Sequence, residues 1–191
     1  MEAVAQSDLA EIAAVADAAP EAAANAATQF PGAVAVKSVE EILELELDGV
    51  VIATPSALHA EQAILALERG MAVFCQKPLA RNESETRRVI DAARAADRLL
   101  AVDLSYRFMS QVQKVRGLVC EGELGNVYAA DLVFHNAYGP DKPWFYDRHL
   151  SGGGCVIDLG IHLVDLALWM LDFPRVTNVT SRLFSQGKPL R

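Results

Sequence analysis

The sequence offers no framework for disulfides, no zinc site and no surface for a polyanion. Its three cysteines, Cys75, Cys120 and Cys155, are odd in number and have no Cys-x-x-Cys spacing. Buried thiols in a reducing compartment are the plain reading. The four histidines, His59, His135, His149 and His162, show no His-x-x-x-His spacing, and no metal is expected. Lys and Arg number 17 against 25 Asp and Glu, a net charge of −8. That balance argues against nucleic acid and against an anionic membrane as partners. The N-terminus, Met1-Glu-Ala-Val-Ala-Gln, lacks the basic start and apolar stretch of a signal peptide. The most apolar helix, Cys155 to Leu171, is interrupted by Asp158, His162 and Asp165, and is expected to be too short and too polar to span a bilayer. The cytoplasm is the expected compartment.

What is present is a core and a rhythm. Hydrophobic residues make up 52% of 191, enough for one domain or parts of two. Glu11–Ala16 reads as a strand ending at Asp17, and Pro20 sits where a first-turn proline belongs in the next helix. Ala33–Val36 is a second strand. Ser38 with Glu41 three residues on matches a capping box. Gly49–Ala53 is a continuous apolar run, the pattern of a strand covered on both faces. Ser56–Arg69 is a helix closed by Gly70. Met71–Cys75, Asn82–Ala96 and Leu99–Asp103 then read as strand, helix and strand. Alternation of this kind marks a parallel α/β sheet with covering helices. Ligands of such sheets bind beyond the carboxyl ends of the strands. Asp17, Thr54, Gln76, Lys77 and the Tyr106-Arg107 pair all lie just past strand ends.

The pattern changes after Arg107. Ser110–Glu121 reads as a helix, Gly122 and Gly125 as a turn, and Asn126–Asn136 as a long strand. A glycine loop, Gly152-Gly-Gly154, leads into the apolar helix, and Val176–Phe184 closes as a strand rich in Val and Thr. This is the start of a second, α+β domain with an open, mainly antiparallel sheet. The boundary is placed near Phe108, giving domains 1–108 and 109–191.

Asp158 and His162 are four residues apart and share a helix face. Lys77-Pro78 follows an apolar strand directly. Lys, Asp and His together suit proton transfer at a substrate hydroxyl. A neutral imidazole, with a reference pKa of ~6.5, can take the proton, and His162 is the candidate base. The alternative is a helix histidine bonded to a backbone carbonyl. Asp158 can orient a hydroxyl or raise the basicity of His162, or simply favour a helix dipole. Lys77 can stabilise a developing alkoxide, against the alternative of a solvated surface lysine. Pro78 fixes the local backbone, with the cis or trans state of its bond left open. Asp165 is read as a rim charge or as half of an ion pair. Tyr138, Trp144, Tyr146 and His149 lie in a loop that lines a pocket or an interface, with no catalytic role.

In their order these motifs resemble the Gfo/Idh/MocA family, named for glucose–fructose oxidoreductase and inositol dehydrogenase. They are Asp17 with Pro20-Glu21; Val51-Ile-Ala-Thr-Pro-Ser56 with His59; Lys77-Pro78; Tyr106-Arg107-Phe108; and Gly152 to His162 with Asp165 and Trp169. The resemblance implies a Rossmann-type domain, NAD or NADP as cofactor, and hydride transfer at a hydroxyl carbon of a sugar, polyol or related compound. It implies Lys77, Asp158 and His162 as the catalytic set. Asp17, Thr54, Pro55, Ser56, His59, Gln76, Lys77, Pro78 and Arg107 fall on the cofactor side. On the residues alone Asp17 reads equally as a helix cap, His59 as a local structural contact and Arg107 as half of an ion pair. An acid at position 17 with Ala18-Ala19 beside it favours NAD over NADP. The family's usual Glu-Lys-Pro is Gln76-Lys77-Pro78 here, and Ser56 stands where an asparagine is common. The family's opening strand and glycine-rich turn, and most of its large sheet, are not among these residues. The chain is therefore expected to be a fragment of an enzyme that forms a homo-oligomer at full length. The alternative is a non-catalytic nucleotide-binding or assembly protein of the same ancestry.

Overall fold

A computed structural model of the chain describes residues 1–136 and 139–190. These form two compact units. The first comprises residues 1–103 with 136–161, and the second 104–135 with 162–191.

In the first unit a short helix α1 (Glu2–Gln6) precedes β1 (Ala14–Ala16), α2 (Pro20–Ala27), β2 (Val34–Val36) and α3 (Val39–Leu43). Then come β3 (Gly49–Ile52), α4 (Ser56–Glu68), β4 (Ala72–Cys75), α5 (Glu83–Ala96) and β5 (Leu100–Val102). Local chemistry sets the boundaries. Pro20 starts α2 at its first position, where a missing N–H costs nothing. The Ser38 hydroxyl accepts the Glu41 N–H at the head of α3. The reciprocal half of that box is shifted by one residue: Glu41 accepts from Lys37 N–H at 2.9 Å rather than from Ser38. Asn82 caps α5 by accepting the Glu85 N–H at 3.0 Å.

All the pairing in this unit is parallel, as the strand–helix alternation predicts. The ladder is nevertheless in two pieces, β1–β2 and β3–β4–β5. Among the described residues β1 and β3 each keep one edge without a ladder partner. Gly49 is needed where it is: a Cβ there would meet the Ala72 carbonyl oxygen at 2.9 Å.

The core lies between α4, α5 and one face of β3–β4–β5. Ala63, Ala66, Leu67, Val73, Cys75 and Val89 are almost wholly buried. Small residues on α4 let α5 come close, and each large apolar side chain buried there contributes about 1.5–3 kcal/mol. The opposite face is different. Val51 and Phe74 are paired side by side and are 64% and 41% exposed. The expectation that this apolar run is covered on both faces is thus corrected. Apolar sequence records what a strand can bury, and only the tertiary neighbours decide what covers it.

The final part of this unit holds a 3₁₀ turn (Pro143–Tyr146) and a short helix α7 (Arg148–Ser151). The glycine loop follows, then a π-helical turn (Val156–Gly160). The two helical turns were not legible in sequence.

The second unit holds a 3₁₀ turn (Ser105–Phe108), α6 (Ser110–Cys120), α8 (Ile161–Met170, from its second residue on) and a hairpin of β6 (Phe184–Ser185) and β7 (Lys188–Pro189). Gln186 and Gly187 both take positive φ, as a two-residue hairpin turn of this hand requires. Two expected strands are corrected here. No strand forms at 126–136, and of 176–184 only Phe184 is paired. β-branched residues favour strands through packing on neighbouring strands, and among the described residues no strand pairs with 126–136 or 176–183.

The stretch Arg148–Met170 does meet a membrane span's demands by length and composition, with 23 residues and a mean hydropathy of 1.5. The reading as too short and too polar concerned Cys155–Leu171 alone, a narrower stretch than this one. The Gly152–Gly154 loop breaks the longer stretch, however. The unbroken helical part, residues 155–170, rises about 24 Å against a hydrocarbon core of about 30 Å.

Of the three thiols only Cys75 is buried, and Cys120 and Cys155 are exposed, which corrects the reading of all three as buried. Burial pushes the Cys75 thiol up to about 12, so it stays protonated and unreactive. Iodoacetamide at about pH 8 is expected to modify Cys120 and Cys155 of the folded chain and to spare Cys75 until urea is added. Equal labelling of all three in the native chain, read by peptide mass spectrometry, would contradict the placement of β4 in the core.

Candidate active site

Parallel strands in register end together, so the residues that follow them share an edge. Ile52, Cys75 and Val102 are register partners across β3, β4 and β5. Thr54, Gln76, Lys77 and Asp103 come directly after them. Gln76 Nε2 donates to Asp103 Oδ2 at 2.5 Å, tying the exits of β4 and β5 together. Asp103 is a further residue of this edge, and the apolar run Leu99–Asp103 hides it by reading as strand to its end. Its place one residue after the Cys75–Val102 rung was the available signal.

Lys77 is the centre of the arrangement. Its ammonium donates to Asp158 Oδ1 at 2.6 Å and to the main-chain oxygen of Asp158 at 2.6 Å. The two side chains are 18% and 26% exposed, so the pair is neither solvated nor sealed. Asp158 sits in the π-helical turn, a rare local winding that recurs at functional sites. The sequence reading gave Asp158 a substrate or a histidine as partner, and the structure gives it Lys77.

The loop that carries Lys77 is braced from below. The Lys77–Pro78 peptide is cis. His59, 1% exposed on α4, places Nδ1 at 2.7 Å from the Pro78 oxygen and Nε2 at 2.7 Å from the Thr54 oxygen. Both ring nitrogens thus face main-chain oxygens, and the ring joins the β3 exit to the β4 exit. This is the structural contact that one reading of the sequence gave it. Ser56 is buried at the start of α4, Thr54 donates to Gln62 Oε1 at 2.7 Å, and Pro55 caps the helix. Asp17 is exposed, and its Oδ1 accepts the Ala19 N–H at 2.8 Å in a local turn, leaving Oδ2 uncommitted. The residue that caps α2 is Ala19, not Asp17.

The glycine loop is anchored by Arg81, a residue the sequence reading passed over. Arg81 Nη1 donates to the His149 oxygen at 3.0 Å. Its Nη2 and Nε both bind Glu85, at 2.6 and 3.3 Å. The hydrogen bond from Arg81 holds the Glu85 carboxyl below the usual range. Gly152 lies against this side chain at φ +79, and a Cβ there would meet Arg81 Cγ at 2.8 Å. Ser151 Oγ closes the turn by donating to the Gly153 oxygen at 2.9 Å. Trp144 stacks on Phe145 with centroids 3.9 Å apart, and Tyr146 donates to the Pro140 oxygen at 3.1 Å. Tyr138 lies outside the described residues.

In the second unit His162 is 7% exposed on α8. The Tyr106 ring lies over it at 4.2 Å with a 10° angle between planes. Arg107 forks onto Asp165: Nε donates to Oδ2 at 2.8 Å and Nη2 donates to Oδ1. That bond raises the guanidinium above its ordinary value. Arg107 is therefore engaged as an ion pair, the reading its residue type allowed beside the cofactor-side one, and Asp165 is its partner. Among the described residues no three His, Cys, Asp or Glu side chains gather as a metal site.

Comparisons with known proteins place the chain in a family. Residues 1–104 match the family described as an oxidoreductase family with an NAD-binding Rossmann fold. Residues 112–189 match the Gfo/Idh/MocA C-terminal domain. The chain belongs to the Gfo/Idh/MocA oxidoreductase family. It is 35% identical over 146 residues to D-glucoside 3-dehydrogenase of Escherichia coli, covering 76% of this chain and 42% of that protein. It is 32% identical over 186 residues to levoglucosan dehydrogenase of Pseudarthrobacter phenanthrenivorans, covering 93% and 47%. Among solved structures, GenD2 from gentamicin A biosynthesis in complex with NAD superposes with a TM-score of 0.81 at 27% identity, covering 91% of this chain and 50% of that one. Levoglucosan dehydrogenase with NADH and levoglucosan gives 0.72 at 29%, covering 84% and 45%. The chain spans about half the length of the curated relatives it matches.

The Gfo/Idh/MocA glycine loop yields a direct test. Gly152→Ala sets a Cβ against Arg81 at a left-handed φ, and is expected to cost about 1–3 kcal/mol. Urea unfolding of the two chains measures it, and an unchanged midpoint would show that the loop does not rest on Arg81.

Proposed function

We propose that the chain is part of an NAD-dependent dehydrogenase that oxidises a hydroxyl carbon of a sugar, polyol or related compound. The Lys77–Asp158 pair carries this reading. An ammonium held at 2.6 Å by a carboxylate and a main-chain oxygen, on the carboxyl edge of a parallel sheet, is a fixed positive charge where a ligand of this fold binds. The names of the relatives support the substrate class, since they are dehydrogenases of glucosides and of levoglucosan.

The residues present fit a dinucleotide in part. Asp17 has one carboxylate oxygen uncommitted for ribose hydroxyls, and Thr54, Pro55, Ser56, Gln76 and Pro78 line the exits of β3 and β4 beside Lys77. His59 serves that side by holding the two exits in place. Residues 1–108 supply this cofactor side. Residues from 109 onward supply the substrate side and the contacts of a homo-oligomer, with 136–161 bringing Asp158 to Lys77. When bound, NAD accepts the hydride. The chain's own residues handle the proton and the charge. Lys77 uses two N–H donors on Asp158 and has a third for the substrate oxygen, which it stabilises as negative charge grows there. Asp158 keeps the ammonium in place. His162, four residues further along the helical run, takes the hydroxyl proton. The net acidic charge supports a small-molecule ligand rather than nucleic acid or an anionic membrane, and cysteines without paired spacing fit the cytoplasm as compartment.

Lys77→Ala and His162→Ala are each expected to lower kcat by about 10²-fold or more, with NAD affinity little changed for His162→Ala. A His162→Ala protein with near-normal kcat at neutral pH would remove that residue from the mechanism. No turnover at all by a well-folded wild type would favour a non-catalytic protein of the same ancestry.

Cofactor choice follows from position 17. A 2′-phosphate would face the Asp17 carboxylate, and Ala18-Ala19 offer it no cation. The ratio kcat/KM is expected to be higher with NAD than with NADP, and equal values or the reverse order would overturn the ribose role of Asp17.

A further inference from the structure

Tyr106 and Arg107 are neighbours in the 3₁₀ turn that follows β5, and they reach two residues on one face of α8. Tyr106 lies over His162 with ring centroids 4.2 Å apart and planes within 10°. Phe134 stands behind Tyr106 at 6.4 Å and 16°. Arg107 binds both oxygens of Asp165, three residues beyond His162. The guanidinium is covered by Trp169 at 5.7 Å and Phe173 at 5.6 Å. Trp169 is covered in turn by Arg116 at 4.4 Å.

Each contact removes a different freedom. A ring lying flush on the imidazole at this distance resists rotation about the histidine's second side-chain bond, because an edge turned toward Tyr106 would collide with it. A planar fork onto a carboxylate resists sliding of α8 along the turn, which a single point charge would permit. The two contacts start from adjacent residues, so they act on one short segment of helix.

We propose that Tyr106 and the Arg107–Asp165 pair are positioning residues that fix the plane and the height of the His162 ring. This rests on the assignment of His162 as the base. A base must meet its proton within about 0.5 Å and 10–20°, and an error of about 1 Å costs on the order of 10²-fold in rate. Neither residue need touch the substrate to have this effect. The phenol hydroxyl takes no part, so the proposal separates the ring face of Tyr106 from its acid–base chemistry.

The test uses the full chain, with Tyr106→Leu, Tyr106→Phe and Arg107→Lys, two readouts and a thermal melt of each variant. The first readout is the nuclear magnetic resonance signal of the His162 ring protons. These are expected to be displaced by the Tyr106 ring current in the wild type and in Tyr106→Phe, and to move toward free-imidazole positions in Tyr106→Leu. The second is steady-state kinetics with NAD and a glucoside. Tyr106→Leu is expected to lose about tenfold or more in kcat with KM for NAD within about twofold. Tyr106→Phe should restore most of kcat. Arg107→Lys, which keeps the charge and loses the fork, should also lower kcat and broaden the His162 signals. If Tyr106→Leu does not melt cooperatively, Tyr106→Phe and Arg107→Lys carry the test. Undisplaced His162 signals in the wild type overturn the proposal whatever the activity. So does a kcat in Tyr106→Leu equal to that of an active wild type. An inactive wild type with displaced His162 signals supports the positioning and counts instead against the dehydrogenase reading.

Discussion

Parallel pairing in register is the constraint on which the candidate site of the first unit depends. Because β3, β4 and β5 run the same way with Ile52, Cys75 and Val102 on one rung, everything that follows them leaves at one edge. Hydrogen bonds in the ladder fix that rung, and burial of Val73 and Cys75 against the helices holds it. A slip of one residue would turn each buried face outward. It would also separate Gln76 from Asp103 and move Lys77 relative to Thr54. The polar groups inherit their positions from an apolar register.

On that edge the side chains serve one another. His59 joins the β3 exit to the β4 exit through two carbonyl oxygens, and Gln76 joins the β4 exit to the β5 exit. Arg81 holds the glycine loop, which leads into the π turn where Asp158 meets Lys77. Gln at position 76, where the family commonly has Glu, suits this network. Its amide donates to Asp103, whereas a carboxylate there would face another carboxylate. The departure is therefore matched by its neighbour in this chain.

The second unit is held by a different logic. It has few buried residues, and its tightest contacts are ring faces and a forked ion pair around α8. Such contacts are directional, so they specify orientation better than they supply stability. That suits a helix that carries His162, the proposed base. The apolar residues at 126–136 and 176–184 illustrate the contrast. They have strand composition and little burial, because a strand gains from neighbours that these residues do not have.

Much of this was legible in the sequence by itself. Capping and proline rules placed the starts of α2 and α3. Alternation gave the parallel pairing, and the ordered motifs gave the family. Lys77, Asp158 and His162 stood out because charged and titrating groups on apolar elements carry a cost that demands a reason. These are local or periodic signals, and local physics writes them into the chain. Tertiary structure alone decided the rest. It gave Lys77 to Asp158 across eighty-one positions, Arg107 to Asp165 across fifty-eight, and Arg81 to the glycine loop. It left one face of β3 open and residues 126–136 without a strand. A residue's type states which partners it can satisfy, and the path of the folded chain chooses among them.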